Sequence, residues 1–233
     1  MLFRQLYDRE SSTYTYLIAD DLTSKEAILV DPVLEQVERD LKLVQELSLT
    51  LRYCLETHIH ADHITGTGKL RDLTGCWGIV PVQAEAECAN RYIKDGEILQ
   101  LGDEVSLKAI ATPGHTDSHM AYLVNQTRVL TGDALFIRGC GRTDFQSGDP
   151  GILYDSVTKK LFTLPDETLV YPGHDYRGHT VSTIGEEKRW NPRFVGRDRS
   201  SFIEFMNNLH LPNPKKMMEA VPANEQCGRL VGS

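Results

Sequence analysis

The 233-residue chain lacks several features that mark membrane-bound, exported or nucleic-acid-binding proteins. No apolar run approaches the length of about 20 residues that a membrane-spanning helix needs. The first five residues lack the basic-then-apolar plan of a secretion signal. The formal net charge of −8 disfavours a nucleic-acid groove. We therefore expect a globular cytoplasmic protein with neither a nucleic acid nor a membrane as partner.

Cysteine is scarce, and its spacing indicates neither a disulfide framework nor a structural zinc site. The chain has five cysteines, an odd number, and no two of them form a CxxC pair. Without an export signal, cysteines of this kind are expected to be reduced. The sequence therefore predicts free thiols at Cys54, Cys76, Cys88, Cys140 and Cys227.

Strands and helices are both predicted along most of the chain, which indicates a layered α/β protein. Strand-like segments bounded by turn residues cover residues 14–19, 27–30, 51–56, 78–81, 98–101, 105–110, 121–124, 128–131 and 168–171. Asp31-Pro32 and Asp149-Pro150 each supply a helix cap followed by proline at the first helical position. Ser201 and Glu204 form a capping-box pattern before a terminal helix. These patterns do not choose a topology.

The most informative stretch follows the predicted strand at 51–56. His58, His60, Asp62 and His63 place four potential metal ligands within six positions. On a helix, residues two apart point to nearly opposite sides, whereas on a tight loop they can converge. Imidazole and carboxylate together suit a first-row transition metal. Isolated histidines are usually solvated or core residues, but four ligands in so short a segment favour a metal site.

Three later loops each present one further ligand just after a predicted strand. Pro-Gly-His sequences contain His115 and His174, and a Gly-Asp pair contains Asp133. Proline and glycine favour the sharp turns that such loops require. Each loop alone could be an ordinary turn. Together with the first loop, they supply enough ligands for one or two metal ions.

This order of motifs, Thr-His-x-His-x-Asp-His, Pro-Gly-His, Gly-Asp and Pro-Gly-His, resembles the metallo-β-lactamase superfamily. The resemblance extends from about Tyr14 to Tyr176. It implies an αββα sandwich of two mixed sheets packed together with helices outside, and a metal site at one edge. We expect a single domain over residues 1–233, in which 177–233 form a short helical extension.

Two activities within that superfamily compete. Resemblance to glyoxalase II, a thioester hydrolase acting on S-lactoylglutathione, implies two metals bridged by Asp133. The protein ligands would then be His58, His60 and His115 for one metal, and Asp62, His63 and His174 for the other. Resemblance to the persulfide dioxygenases implies one Fe(2+) per chain, held by His58, His115 and Asp133. That set is a two-histidine, one-carboxylate triad, which leaves coordination positions open.

Local similarity favours the dioxygenase. Segments 131–146, 171–176 and 222–228 resemble that family, and the chain is too short after His174 for the larger helical domain typical of glyoxalase II. The implied reaction oxidises glutathione persulfide with O2 and water to sulfite and glutathione, in sulfide detoxification. His119 receives no role from this resemblance.

The resemblance also implies roles around the iron and the substrate. It makes His60, Asp62, His63 and His174 supporting groups that orient ligands and bound waters. Arg142 and Tyr176 would bind glutathione, since guanidinium suits a carboxylate; the alternative for Arg142 is a structural salt bridge with Asp144 or Asp133. A homodimer is usual in the family, although no stretch defines an interface. A non-enzymatic persulfide-binding or redox module is disfavoured because the ligands in all four loops are intact.

Overall fold

The computed structural model describes residues 1–84, 86–214 and 216–229. The chain divides into two compact units. Unit 1 consists of the described parts of residues 1–93, 98–106 and 213–233, and unit 2 of residues 94–97 and 107–212. No helix in the described part of the chain is long and apolar enough to cross a membrane.

Unit 1 is built on a six-stranded sheet. Its strands are β1 (Leu2–Tyr7), β2 (Tyr14–Ala19), β3 (Glu26–Val30), β4 (Thr50–Leu55), β5 (Trp77–Pro81) and β6 (Arg91–Ile93). They follow the order β1-β2-β3-β4-β5-β6. The first two pairs are antiparallel and the other three are parallel, so the sheet is mixed. All six residues of β2 are buried, as expected for a strand covered on both faces.

Helices supply the crossovers that parallel strands require. In unit 1, α1 (Val37–Glu46) joins β3 to β4, and α2 (Thr67–Thr74) joins β4 to β5. Val37 and Val44 of α1 pack in one apolar cluster with Leu17 and Leu29 of the sheet. The remaining elements of unit 1 are β7 (Ile98–Leu101) and α6 (Met217–Glu225).

Asp31 does not cap a helix, so that sequence prediction is wrong. The helix α1 begins at Val37 with Gln36 as its N-cap, after a short 3-10 turn at Leu34–Gln36. Asp31 itself has a positive φ of 50°. Its carboxylate accepts hydrogen bonds from Thr57 instead. The competing partner is distant in sequence, which local capping patterns do not register.

Unit 2 contains most of the second mixed sheet. Five of the six strands of that sheet lie wholly or largely in unit 2: β8 (Val105–Ala111), β9 (Met120–Val124), β10 (Arg128–Gly132), β11 (Leu169–Pro172) and β12 (Ser182–Thr183). These five strands follow the order β12-β11-β10-β9-β8, and among their four pairs β10–β11 is parallel and the other three are antiparallel. The helices are α3 (Pro150–Lys159), α4 (Ile184–Trp190) and α5 (Arg199–Asn207).

Helix caps in unit 2 test two sequence predictions. Asp149 caps α3 by accepting a hydrogen bond from the Ile152 N–H, with Pro150 at the start of the helix, which confirms the first prediction. The cap of α5 is Asp198, not Ser201. The Ser201 N–H donates to Asp198 at 2.8 Å, so Ser201 lies in the first turn of the helix.

The disulfide Cys88–Cys227 overturns the prediction of five reduced thiols. These cysteines are 139 residues apart, a distance at which sequence spacing carries no pairing information. Cys54, Cys76 and Cys140 are free and buried. Burial raises the pKa of the Cys140 thiol to about 12, as expected for a packing residue.

Candidate metal centre

The direction of the strands gathers three loops that carry predicted metal ligands at one edge of the sheet in unit 2. β10 and β11 are parallel, and β8 runs in the same direction because both β8 and β10 are antiparallel to β9. The carboxyl ends of all three strands therefore lie at the same edge. Just beyond those ends lie His115, Asp133 and His174.

His115 and Asp133 form a pair suited to a metal ion. The Nε2 atom of His115 lies 3.5 Å from Oδ2 of Asp133, and both residues are buried. The other ring nitrogen, Nδ1, lies 2.7 Å from the backbone oxygen of Arg142. A carbonyl only accepts, so Nδ1 carries the proton and Nε2 presents a lone pair beside the carboxylate. This is the tautomer that metal-binding histidines adopt.

Two further histidines fix Asp133. The Nδ1 atom of His174 lies 2.7 Å from Oδ1 of Asp133. The backbone N–H of Asp133 donates to Nε2 of His119 at 2.9 Å, and Nδ1 of His119 lies 2.8 Å from the hydroxyl of Thr112. His119 thus holds the backbone of Asp133. The sequence assigns His119 no role because its two partners come close only in the folded chain. Thr112 lies across the β8–β9 hairpin, and Asp133 lies on the loop after β10.

In unit 1, Asp31 orders the loop that follows β4. Its carboxylate accepts from the Thr57 N–H at 2.7 Å and from the Thr57 hydroxyl at 2.9 Å. The Thr57 oxygen also lies 2.9 Å from Nδ1 of His58. Since the hydroxyl proton points to Asp31, this oxygen accepts from His58, and Nδ1 is protonated. His58 therefore presents Nε2 as its potential ligand atom, as His115 does.

His60 lies among carboxylates. Its Nε2 atom is 3.2 Å from Asp31 and 3.7 Å from Glu56, and all three residues are buried. Burial opposes the charged form of His60, but the nearby charges, that of Asp31 first and then those of Asp62 and Glu56, outweigh burial and raise the pKa of His60 to about 9. Burial and the charge of Asp31 raise the pKa of Glu56 to about 7. Sequence reasoning overlooked both carboxylates.

The other two potential ligands of the first loop, Asp62 and His63, lie side by side. Nδ1 of His63 is 2.9 Å from Oδ2 of Asp62, and the Thr13 hydroxyl donates to the same oxygen at 3.1 Å. The potential ligand atoms of His60, Asp62 and His63 lie within 4.8 Å of one another, as do those of Asp31, Glu56 and His60. The loop of unit 1 therefore concentrates groups that could hold a metal ion.

Comparison with known proteins places this geometry in a family. The profile of the metallo-β-lactamase superfamily matches residues 8–174. The chain belongs to the metallo-β-lactamase superfamily.

Relatives within the superfamily include persulfide dioxygenases. The chain is 49% identical to the mouse protein named "Persulfide dioxygenase ETHE1, mitochondrial", over 98% of this chain and 89% of that protein. The crystal structure of ETHE1 from Myxococcus xanthus has a TM-score of 0.95 and 56% identity, covering 98% of this chain and all of that one. The hydroxyacylglutathione hydrolase GloC of Haemophilus influenzae is 36% identical, over 76% of this chain and 90% of that protein.

These comparisons confirm the predicted metallo-β-lactamase fold, with two mixed sheets and helices.

In this superfamily member, the predicted substrate residues lie on two loops of unit 2. Arg142 forms a bidentate salt bridge with Asp144, with both distances 2.6 Å, and donates to the Pro212 oxygen at 2.7 Å. The Tyr176 ring is 70% exposed and stacks on His174 with 5.9 Å between ring centroids. The salt bridge anticipated as the alternative for Arg142 is thus present.

Proposed function

We propose that this chain is an iron-dependent persulfide dioxygenase that oxidises glutathione persulfide with O2 and water to sulfite and glutathione. The observation that carries the proposal is its similarity, over nearly the full chain, to a protein named persulfide dioxygenase. The hydrolase relative is similar over a smaller share of the chain and at lower identity. Glyoxalase II-like thioester hydrolysis is therefore the less supported alternative.

The proposed iron ligands are His58, His115 and Asp133. The donor set supports this assignment, because two imidazole nitrogens and one carboxylate are typical of ferrous oxygenase sites. The hydrogen bonds to Thr57 and to the Arg142 carbonyl keep a lone pair on Nε2 of each histidine. When bound, ferrous iron would supply the oxygen chemistry, and three protein ligands leave positions for the persulfide and O2.

The remaining predicted residues would orient these ligands. His174 engages Oδ1 of Asp133, which directs the other carboxylate oxygen, Oδ2, to the side of His115. His60, Asp62 and His63 would order the loop that carries His58. In the hydrolase alternative, His60 instead holds the first metal with His58 and His115, and Asp62, His63 and His174 hold the second.

Substrate binding is proposed for Arg142 and Tyr176. Glutathione carries carboxylates, and a guanidinium binds a carboxylate through paired hydrogen bonds. Because Arg142 already pairs with Asp144, a substrate carboxylate would share or replace that partner. The exposed Tyr176 ring over His174 can contact a ligand beside the proposed centre. A homodimer and a cytoplasmic location stay predictions, and the mouse relative is named mitochondrial.

The deciding experiment combines metal analysis with substrate choice. Protein purified without oxygen should contain about one iron per chain, consistent with a single facial triad. It should consume O2 only when glutathione persulfide is supplied. Two zinc ions together with rapid hydrolysis of S-lactoylglutathione would establish the hydrolase instead.

An Asp133→Ala variant tests the ligand set. It should lose iron and O2 uptake together, because the carboxylate is one of only three proposed ligands. Asp117→Ala is the matched control, since Asp117 is exposed on the loop that follows His115. Iron retained by Asp133→Ala at the level of the control would refute the assignment.

A further inference from the structure

The C-terminal helix α6 covers the loop that bears the histidines of unit 1. Ala220 and Ala223 of α6 form a buried cluster with Ile64. Val221 packs against the cluster that contains Ile59. The helix thus supplies the apolar side of a loop whose polar side carries potential metal ligands.

Asn224, at the end of α6, holds the backbone of that loop. Its side chain is buried and donates to the carbonyl oxygens of His60 at 2.9 Å and His63 at 2.8 Å. Its own oxygen accepts from the Thr65 N–H at 2.8 Å. One amide therefore makes three hydrogen bonds to positions 60–65, using both donors and the acceptor.

A disulfide anchors the chain just after Asn224. Cys227 is bonded to Cys88 on the segment between β5 and β6. The Cys227 carbonyl accepts from the Gly68 N–H at 2.8 Å. Gly228 has a φ of +83°, and a Cβ there would clash with the backbone oxygen of Thr65. The chain at 227–228 is therefore packed directly on the loop and the start of α2.

We propose that the Cys88–Cys227 disulfide keeps the metal-ligand loop (residues 58–63) ordered, and that reduction removes this order. Asn224 is the positioning residue through which the disulfide acts. With the disulfide intact, Asn224 stays on the loop. Reduction releases the 224–228 segment and loosens the backbone at 60–68. The link to catalysis rests on the proposed function, because it requires His58 to be an iron ligand; the link to loop order does not.

The chemistry is thiol–disulfide exchange with a dithiol reductant. Cys88 is half-buried and Cys227 is buried, so the attacking thiolate reaches the sulfur of Cys88. The Cys88–Cys227 bond breaks, and Cys227 leaves as a thiolate that takes up a proton. The second thiol of the reductant then displaces Cys88. Two electrons and two protons pass to the cysteines, and the dithiol becomes a disulfide.

Amide hydrogen exchange on the full chain tests directly whether the disulfide orders the loop. Dithiothreitol treatment, with reduction verified by mass, should speed exchange at Thr65 and Gly68 by about tenfold or more, because their acceptors belong to Asn224 and Cys227. Exchange at Tyr122 in β9 should not change. Cys88→Ser should reproduce the faster exchange without reductant, and dithiothreitol should add nothing further. Unchanged exchange at Thr65 in both reduced protein and Cys88→Ser would overturn the proposal.

The role of Asn224 is tested by Asn224→Asp, which keeps an acceptor for Thr65 and removes the donors to His60 and His63. The matched control is Asn208→Asp, because Asn208 is exposed and donates only to a carbonyl of its own helix, among the contacts described. Asn224→Asp should speed iron release by about tenfold or more, and lower kcat with little change in KM. Iron release equal to that of the control would refute the positioning role.

The two proposals fail separately. A protein without O2 uptake whose Thr65 amide still responds to reduction would refute the dioxygenase activity and support the ordering of the loop by the disulfide. An active dioxygenase with the same amide hydrogen exchange and the same rate of iron release in both redox states would refute only the proposed role of the disulfide.

Discussion

Replacing His119 separates its two hydrogen bonds, because glutamine and asparagine each reproduce one ring nitrogen. His119 is buried, and its Nε2 atom accepts the Asp133 N–H while Nδ1 meets Thr112. The amide of His119→Gln extends to the position of Nε2 and can still accept from Asp133. The shorter amide of His119→Asn reaches only the position of Nδ1 and leaves the Asp133 N–H without its acceptor.

The size of the effect follows from burial. Leaving a buried donor without its acceptor costs about 1–3 kcal/mol, so His119→Asn should unfold at lower urea concentration than His119→Gln. Loss of a group that orients a metal ligand weakens metal affinity by about 10- to 100-fold. The His119→Asn variant should therefore bind iron that much more weakly than wild type. His119→Gln should stay within a few-fold of the wild-type affinity.

Anaerobic iron titration, with competition by a chelator, measures the affinities, and urea unfolding of the metal-free proteins measures the stabilities. The pattern matters more than either value alone. Equal iron affinity in His119→Gln and His119→Asn would show that the Asp133 N–H does not depend on this acceptor. Equal affinity in His119→Asn and wild type would refute the positioning of Asp133 by His119.

Two further predictions concern charged side chains. Arg142→Ala should raise KM for glutathione persulfide by about 10- to 100-fold with little change in kcat, because a charged hydrogen bond contributes about 1.5–3 kcal/mol to binding; steady-state O2 uptake measures this. Asp144→Asn removes the protein partner of Arg142 and should leave KM unchanged or lower it. If the salt bridge has only a structural role, Arg142→Ala and Asp144→Asn should both reduce stability while KM stays unchanged. In α1, burial raises the pKa of Asp40, so ionisation opposes folding above the ordinary pKa of the carboxyl. Urea unfolding should therefore show that Asp40→Asn gains stability over wild type as pH rises from about 3 to 7. The control Glu38→Gln, at an exposed position, should show no such gain. Equal pH dependence of stability in Asp40→Asn and Glu38→Gln would contradict the reasoning.

The sequence identified nine of the strands because their apolar character is local and strong. It overlooked β1, β6 and β12, and it predicted a helical extension over 177–233 without delimiting α4 and α6 within it. β6 and β12 are only three and two residues long, so their hydrophobic patterns are too short to register. α6 contains Pro222, which normally argues against a helix interior. Its position depends on packing against Ile64 and on the disulfide at its end, and neither feature is encoded locally.

The sequence by itself determined the α/β class, the family resemblance and the loops predicted to carry metal ligands. His58, His115, Asp133 and His174 could all be named because each follows a strand in a short motif of glycine, proline or threonine. Only the tertiary structure decided which residues hold these predicted ligands in place. Asp31 supports Thr57, His119 supports Asp133, and Asn224 clasps the first loop, across separations of 26, 14 and about 160 residues. Hydrogen bonds of this kind depend on how strands and helices pack, and a linear sequence pattern specifies only what lies within a few residues.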